Sequence, residues 1–226
     1  MAPATVERLA LVTRRLRAAY PGVKCELDFK NPLQLLIATI LSAQCTDVLV
    51  NQATPALFAR YKTAADFAAS PPGEMEELIR RIGLYRAKAK NIRACCQALV
   101  DCHGGKVPRT LEELVELAGV GRKTANVVLG NAFGIEAGVV VDTHVARLSF
   151  RLGLTRETDP VKIERVLAKL VPQAEWTIFS HLLIWHGRRR CTARKPDCPH
   201  CEVQELCPKR GVEPKFKEGA QPFLQK

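Results

Sequence analysis

Leu117-Ala-Gly-Val-Gly-Arg-Lys-Thr-Ala125 joins two predicted helices through two glycines set one residue apart. Gly119 and Gly121 permit a very tight turn, including positive φ. The turn ends where a helix begins, so unpaired N–H groups and the positive end of the helix dipole face outward. That is a ready site for a phosphate. Arg122 and Lys123 follow at once and add positive charge; without them, a plain glycine bend between packed helices would be the simpler account. Lys123 sits in the first helical turn, where the dipole disfavours an ammonium ion. A partly deprotonated amine is a nucleophile able to form a Schiff base, whereas without a partner group Lys123 is an ordinary surface lysine.

Val139-Val-Val-Asp-Thr-His-Val145 supplies a candidate partner. The helix from Arg122 to about Phe133 rises roughly 16 Å at 1.5 Å per residue. The glycines at 134 and 138 and the extended residues after them, at about 3.3 Å each, let the chain turn and run back. Asp142 then ends near Lys123. A carboxylate there takes a proton or stabilises developing positive charge, and it also suits the N-cap of the next helix. His144 reads as a structural or phosphate-contacting histidine.

The pattern is helical almost throughout. Val6, Leu9, Ala10, Thr13, Leu16 and Tyr20 fall on one helical face. Asn31-Pro32 caps and opens the apolar run LQLLIATILSA. Thr46 or Asp47 caps a helix that Pro55 should end or kink. Thr63 and Pro72 open two short segments. Tyr85 to Cys102 reads as a long basic helix closed by Gly104-Gly105, and Thr110 to Glu113 as a capping box. Helices begin again at Asp142 or Thr143, at Asp159-Pro160, and at Pro172, the last ending near His186-Gly187. Val139 to Val141 is too short for a sheet. The residues after Cys207 look like a loosely held tail. The fold class is therefore all-α.

The chain has 226 residues, with 34 Lys+Arg against 23 Asp+Glu, a net charge of +11. This excess points to a polyanionic partner, nucleic acid first and an acidic membrane surface second. A 47% hydrophobic content excludes extended disorder. No apolar run is long enough for a membrane span and no export signal is visible, so a soluble cytoplasmic protein is expected. Nine cysteines, an odd number, argue against a disulfide framework. Cys25, Cys45, Cys95, Cys96 and Cys102 read as small hydrophobes with free thiols. The other four form Cys191-x6-Cys198-x2-Cys201-x5-Cys207. Four thiolates in one loop bind tetrahedral zinc or an iron–sulfur cluster, and the spacing alone fits both. Arg194 and Lys195 lie between the thiols and Arg188 to Arg190 precede them, so the loop reads as a basic grip on a phosphate backbone.

Leu41-Ser-Ala-Gln-Cys-Thr-Asp47, LAGVGRKTA, VVDTHV and the four-cysteine pattern, in this order along the chain, resemble the endonuclease III family of the helix-hairpin-helix DNA glycosylases. The likeness covers about Asn31 to Cys207. It implies two helical lobes flanking a DNA-binding cleft: a six-helix barrel at 25–135 carrying the helix-hairpin-helix, and a lobe of 1–24 plus 136–226 carrying a [4Fe–4S] cluster on Cys191, Cys198, Cys201 and Cys207. The implied activity is excision of oxidised pyrimidines from duplex DNA by a monomer in the cytoplasm, at the nucleoid, followed by strand cleavage at the abasic site. Lys123 then matches the nucleophile and Asp142 the essential carboxylate. Gln44 matches the residue that fills the space of the flipped-out base and Leu84 a wedge beside it; Gly119, Gly121, Arg122, His144, Arg194 and Lys195 are the expected DNA contacts from the glycine turn, the histidine and the basic loop read above. The chain departs from the pattern at Ala118, where a proline is common, at Cys45, where the residue is usually alanine-like, and by one extra residue between Lys123 and Asp142. Two other readings are an adenine mismatch glycosylase, which lacks the nucleophilic lysine, and a non-enzymatic DNA-binding module with zinc in the cysteine loop.

Overall fold

The computed structural model describes residues 3–212. Helix α1 (Pro3–Ala19) buries Leu9, Val12, Thr13 and Leu16. Val6 and Ala10, expected on that face, are exposed, and Val12 takes their place. The stripe is thus narrower and turned slightly from its predicted line.

The apolar run after Asn31 forms α2 (Pro32–Leu41). Asn31 Oδ1 accepts the Gln34 N–H at 2.9 Å, and Pro32 occupies the first turn, where its missing N–H costs nothing. Leu35 to Leu41 are all buried, because α2 is surrounded by neighbours. They are α3 (Asp47–Arg60), α6 (Tyr85–His103) and α8 (Arg122–Val128). A helix apolar all round must be wrapped in this way. The short helices α4 (Ala64–Ala68), α5 (Glu74–Leu78) and α7 (Leu111–Val115) complete a first core that includes Phe67, Met75, Ile92 and Leu114.

Pro55 neither ends nor interrupts α3, which runs on to Arg60. Val50, Thr54 and Leu57 are buried on the inner face while Pro55 faces solvent, so packing overrides the proline's local preference.

A second core gathers Leu9, Val12 and Leu16 of α1 with Val139, Val141, Leu148, Leu167, Phe179 and Leu182. These later residues come from the extended connector, α9 (Thr143–Arg151), α10 (Pro160–Leu170) and α11 (Trp176–Arg189). The start of the chain is tied to this half by Arg8, whose Nη1 donates to the Leu152 and Leu206 carbonyls at 2.7 and 3.0 Å. The chain crosses between the cores at 20–31 and again after α8. α11 starts at Trp176, after a 3-10 turn at Gln173–Glu175, rather than at Pro172, and continues to Arg189. The first residues after Cys207 are held: the Arg210 N–H donates to the Arg151 carbonyl at 3.2 Å. The remainder of the expected tail, 213–226, lies outside the described residues. Among the described residues there is no strand, and no helix is long and apolar enough to cross a membrane.

Candidate active site

The glycine bend forms as its sequence predicts. Gly119 adopts φ +78°, Gly121 is extended, and α8 starts at Arg122. A Cβ on Gly119 would stand 3.0 Å from the Asn91 side chain, so space and backbone both call for glycine there. The predicted helix to Phe133 changes character at Leu129, widening into a π-helical turn over Leu129–Phe133. Gly130 on this turn lies so close to α11 that a Cβ would meet Thr177 Oγ1 at 2.2 Å. Gly134 closes the turn at φ +66°, and the chain runs back through buried Val139 to Val141.

Asp142 caps α9. Its Oδ1 accepts the N–H groups of His144 and Val145, both at 2.8 Å. Lys123, Asp142, His144 and Gln44 line one cleft of about 1200 Å³ between the two cores. Trp185 and Arg188 of α11 form its far wall, and a narrower recess behind Lys123 and Asp142 reaches His181. Burial pushes His144 and His181 below the usual histidine pKa, so both stand neutral around pH 7. His181 Nε2 lies 2.7 Å from Asn131 Oδ1 on the π-helical turn.

Gln44 and Leu84 share an unusual backbone. Their φ values are +53° and +58°, and Leu84 is 64% exposed. A left-handed backbone is costly for any non-glycine residue and leaves these two side chains projecting at turns.

Other expected contacts lie elsewhere. Arg122 is not a free cation: it makes a bidentate pair with buried Glu164 of α10, at 2.8 and 2.9 Å. Asn126 Nδ2 joins the same carboxylate at 3.3 Å. The pair therefore ties α8 to α10 across the two cores. The arginine run before the cysteine loop is also committed to internal partners. Arg188 pairs with Glu26 and, at 2.7 Å, with Asp47; Arg189 pairs with Glu26; Arg190 pairs with Asp197 and Glu202. These arginines remain partly exposed, so the pairs orient the run rather than bury it. Arg194 and Lys195 are exposed on the cysteine loop, outside the cleft lining. Sequence reading overlooked Glu164, His181 and Trp185, since nothing in their local pattern separates them from core or surface residues.

Gly138 is pinned under the Arg122–Glu164 pair. A Cβ there would lie 2.2 Å from Glu164 Oε1 and 2.6 Å from Asn126 Nδ2. Gly138→Ala is expected to destabilise the protein by about 1–3 kcal/mol, since buried groups must shift to admit it. Denaturant unfolding measures this, and an unchanged midpoint would show that the network yields freely.

All nine cysteines are unpaired, and Cys191, Cys198, Cys201 and Cys207 line one cavity with Leu148, Leu152 and Val203. N–H groups point at the sulfurs: Arg151 Nη1 stands 3.2 Å from Cys191 Sγ and the Lys209 N–H 3.4 Å from Cys207 Sγ. Arg151 is itself buried and also donates to the Thr192 and Ala193 carbonyls, clasping the loop. Burial raises the Cys201 thiol to about 11, so only a bound metal would hold it ionised. Sulfur-rich, apolar and supplied with N–H donors, the cavity fits an iron–sulfur cluster. His186, Cys201 and Glu202 also converge closely enough for a single ion, but His186 Nδ1 already meets the Tyr20 hydroxyl at 2.9 Å.

Residues 37–173 match the family model of the HhH-GPD superfamily base excision DNA repair proteins. The chain is 58% identical over 193 residues to endonuclease III of Synechocystis, covering 85% of this chain and 88% of that one. A solved non-covalent endonuclease III–DNA complex superposes with a TM-score of 0.86 at 46% identity, over 90% of this chain and 95% of that one. A trapped endonuclease III–DNA covalent intermediate matches equally well, with a TM-score of 0.86 and 46% identity over 90% and 96% of the two chains. Fold and site thus define a base excision repair glycosylase of the helix-hairpin-helix class. Within that class the chain belongs to the endonuclease III family, and it is a DNA glycosylase and abasic-site lyase.

Proposed function

We propose that the chain removes oxidised pyrimidines from double-stranded DNA and cleaves the resulting abasic site by β-elimination, with Lys123 as nucleophile. The observation that carries this reading is the shared cleft of Lys123 and Asp142, which stand nineteen residues apart in sequence and are brought together by the returning connector. The Lys123 amine attacks the sugar C1′, the glycosidic bond breaks, and its electron pair leaves with the base. Ring opening gives a Schiff base between Nζ and C1′. Loss of a C2′ proton then expels the 3′ phosphate. Asp142 receives a proton or stabilises positive charge, using oxygen capacity left beside the two N–H bonds to its Oδ1.

The base must leave the stack for this to occur. Gln44 fills its place and Leu84 wedges beside it, both on exposed turns of strained backbone. The backbone N–H groups around Gly119 and Gly121, with His144, Arg194 and Lys195, hold phosphates. Arg122 contributes chiefly by its tie to Glu164. Labour divides between a lobe of residues 25–135 and one of 1–24 plus 136–226, a reading supported by the two cores. The protein acts as a monomer in the cytoplasm, at the nucleoid.

The four loop cysteines hold a [4Fe–4S] cluster that would staple the loop without taking part in the reaction; none of them lines the cleft. The purified protein is expected to be yellow-brown, with thiolate-to-iron absorption and about four irons per chain. A colourless zinc protein would overturn this assignment. The reaction itself is tested by an excision panel over lesion-containing duplexes, scored separately for base loss and nicking. Preference for adenine opposite 8-oxoguanine over oxidised pyrimidines would refute the substrate class.

A further inference from the structure

Lys88 is the only buried lysine among the described residues, 5% exposed, and it lies under the Gln44 turn. Burial lowers its pKa from the ordinary lysine value, and the neighbour that opposes this is Cys45, not a carboxylate. Its two nitrogens reach two different turns. The main-chain N–H makes the first helical bond of α6, to the Leu84 carbonyl at 3.0 Å, and the side chain adds the link to the other turn, Nζ donating to the Leu41 carbonyl at 2.9 Å. Leu41 ends α2, and the N–H groups of Ser42, Ala43 and Cys45 bond to other carbonyls, so the lysine supplies the cap that the turn lacks. One residue thereby braces the segments that hold both left-handed, outward-pointing side chains, Gln44 and Leu84.

We propose that Lys88 is a positioning residue for nucleotide extrusion, fixing the Gln44 and Leu84 turns relative to each other so that both side chains enter a duplex together. This rests on the reading of Gln44 and Leu84 as groups that enter DNA. A buried ammonium without a carboxylate burdens the fold, and a methionine of similar length would fill its space more cheaply. Strained turns, by contrast, persist only where their surroundings over-determine them. The fold can therefore spare the charge, while the extrusion geometry cannot.

The test uses the cluster-loaded protein and two duplexes of one sequence, undamaged or carrying a tetrahydrofuran abasic-site analogue. Dissociation constants come from fluorescence anisotropy and thermal midpoints from calorimetry. Lys88→Met is expected to keep or raise the midpoint, keep the undamaged affinity, and lower the preference for the abasic duplex about tenfold, as loss of one strained placement implies. Lys88→Gln, too short to reach Leu41, should show the same loss of preference. Gln44→Ala and Leu84→Ala are measured in parallel. If these two lower the preference and the Lys88 variants do not, the brace is refuted while the reading of the turns stands. If none lowers it, that reading fails and the brace with it. A fall in midpoint with preference intact, or failure of both Lys88 variants to fold, makes the lysine structural and overturns the proposal.

Discussion

Lys123→Gln is expected to abolish the covalent adduct trapped by borohydride on thymine-glycol or abasic duplex, and to lower nicking at least about a thousandfold. Glutamine keeps helix propensity and a polar tip but cannot form a Schiff base. Lys123 is exposed at the cleft, so the change touches no packed contact and should move stability by no more than about 0.5 kcal/mol. Affinity for undamaged duplex should change little, because one of many cationic groups is lost. The cleft has one other lysine, Lys24, on the segment that crosses between the cores. An adduct that survives Lys123→Gln but vanishes on Lys24→Gln would move the nucleophile across the cleft. Survival in the double variant would remove lysine chemistry from this site altogether.

The helices were legible because their ends carry local chemistry. Asn31, Thr46, Thr63, Asp142 and Asp159 each cap a helix with a side-chain oxygen, as their positions in sequence suggest. The meeting of Lys123 with Asp142 was legible from chain lengths: a helix out, glycines at the turn, an extended run back. Pro55 misled because its effect is local and the packing of α3 is not. The π-helical turn at Leu129 was hidden for a similar reason. It answers to the close approach of Gly130 to α11, a contact 47 residues away in sequence. The arginines showed their charge in the sequence but not their partners. Arg122 and Glu164 stand 42 residues apart, and Arg188 and Glu26 162 apart. Lys88 gave no signal at all, since a lysine on a basic helix reads as solvated until the other helices close over it.

Asp142→Asn separates two roles that coincide in one side chain. The Asp142 Oδ1 holds the first turn of α9 through two 2.8 Å bonds, and asparagine caps helices about as well as aspartate. Thermal stability of Asp142→Asn should therefore stay near that of the parent, while Asp142→Ala should lose about 1 kcal/mol with the cap. Catalysis follows a different order. An amide neither accepts a proton near neutral pH nor stabilises a cation as a carboxylate does, so both variants should lose about 10²–10⁴ in single-turnover base release. Asparagine would then match aspartate in the melt and alanine in the reaction. Full activity in Asp142→Asn would reduce Asp142 to a helix cap. The combination with Lys123→Gln sharpens the test, because groups that act as a unit are not additive. If the two share one step, the double variant should be barely slower than Lys123→Gln alone; a product of the separate losses would mean that amine and carboxylate work independently in the same cleft.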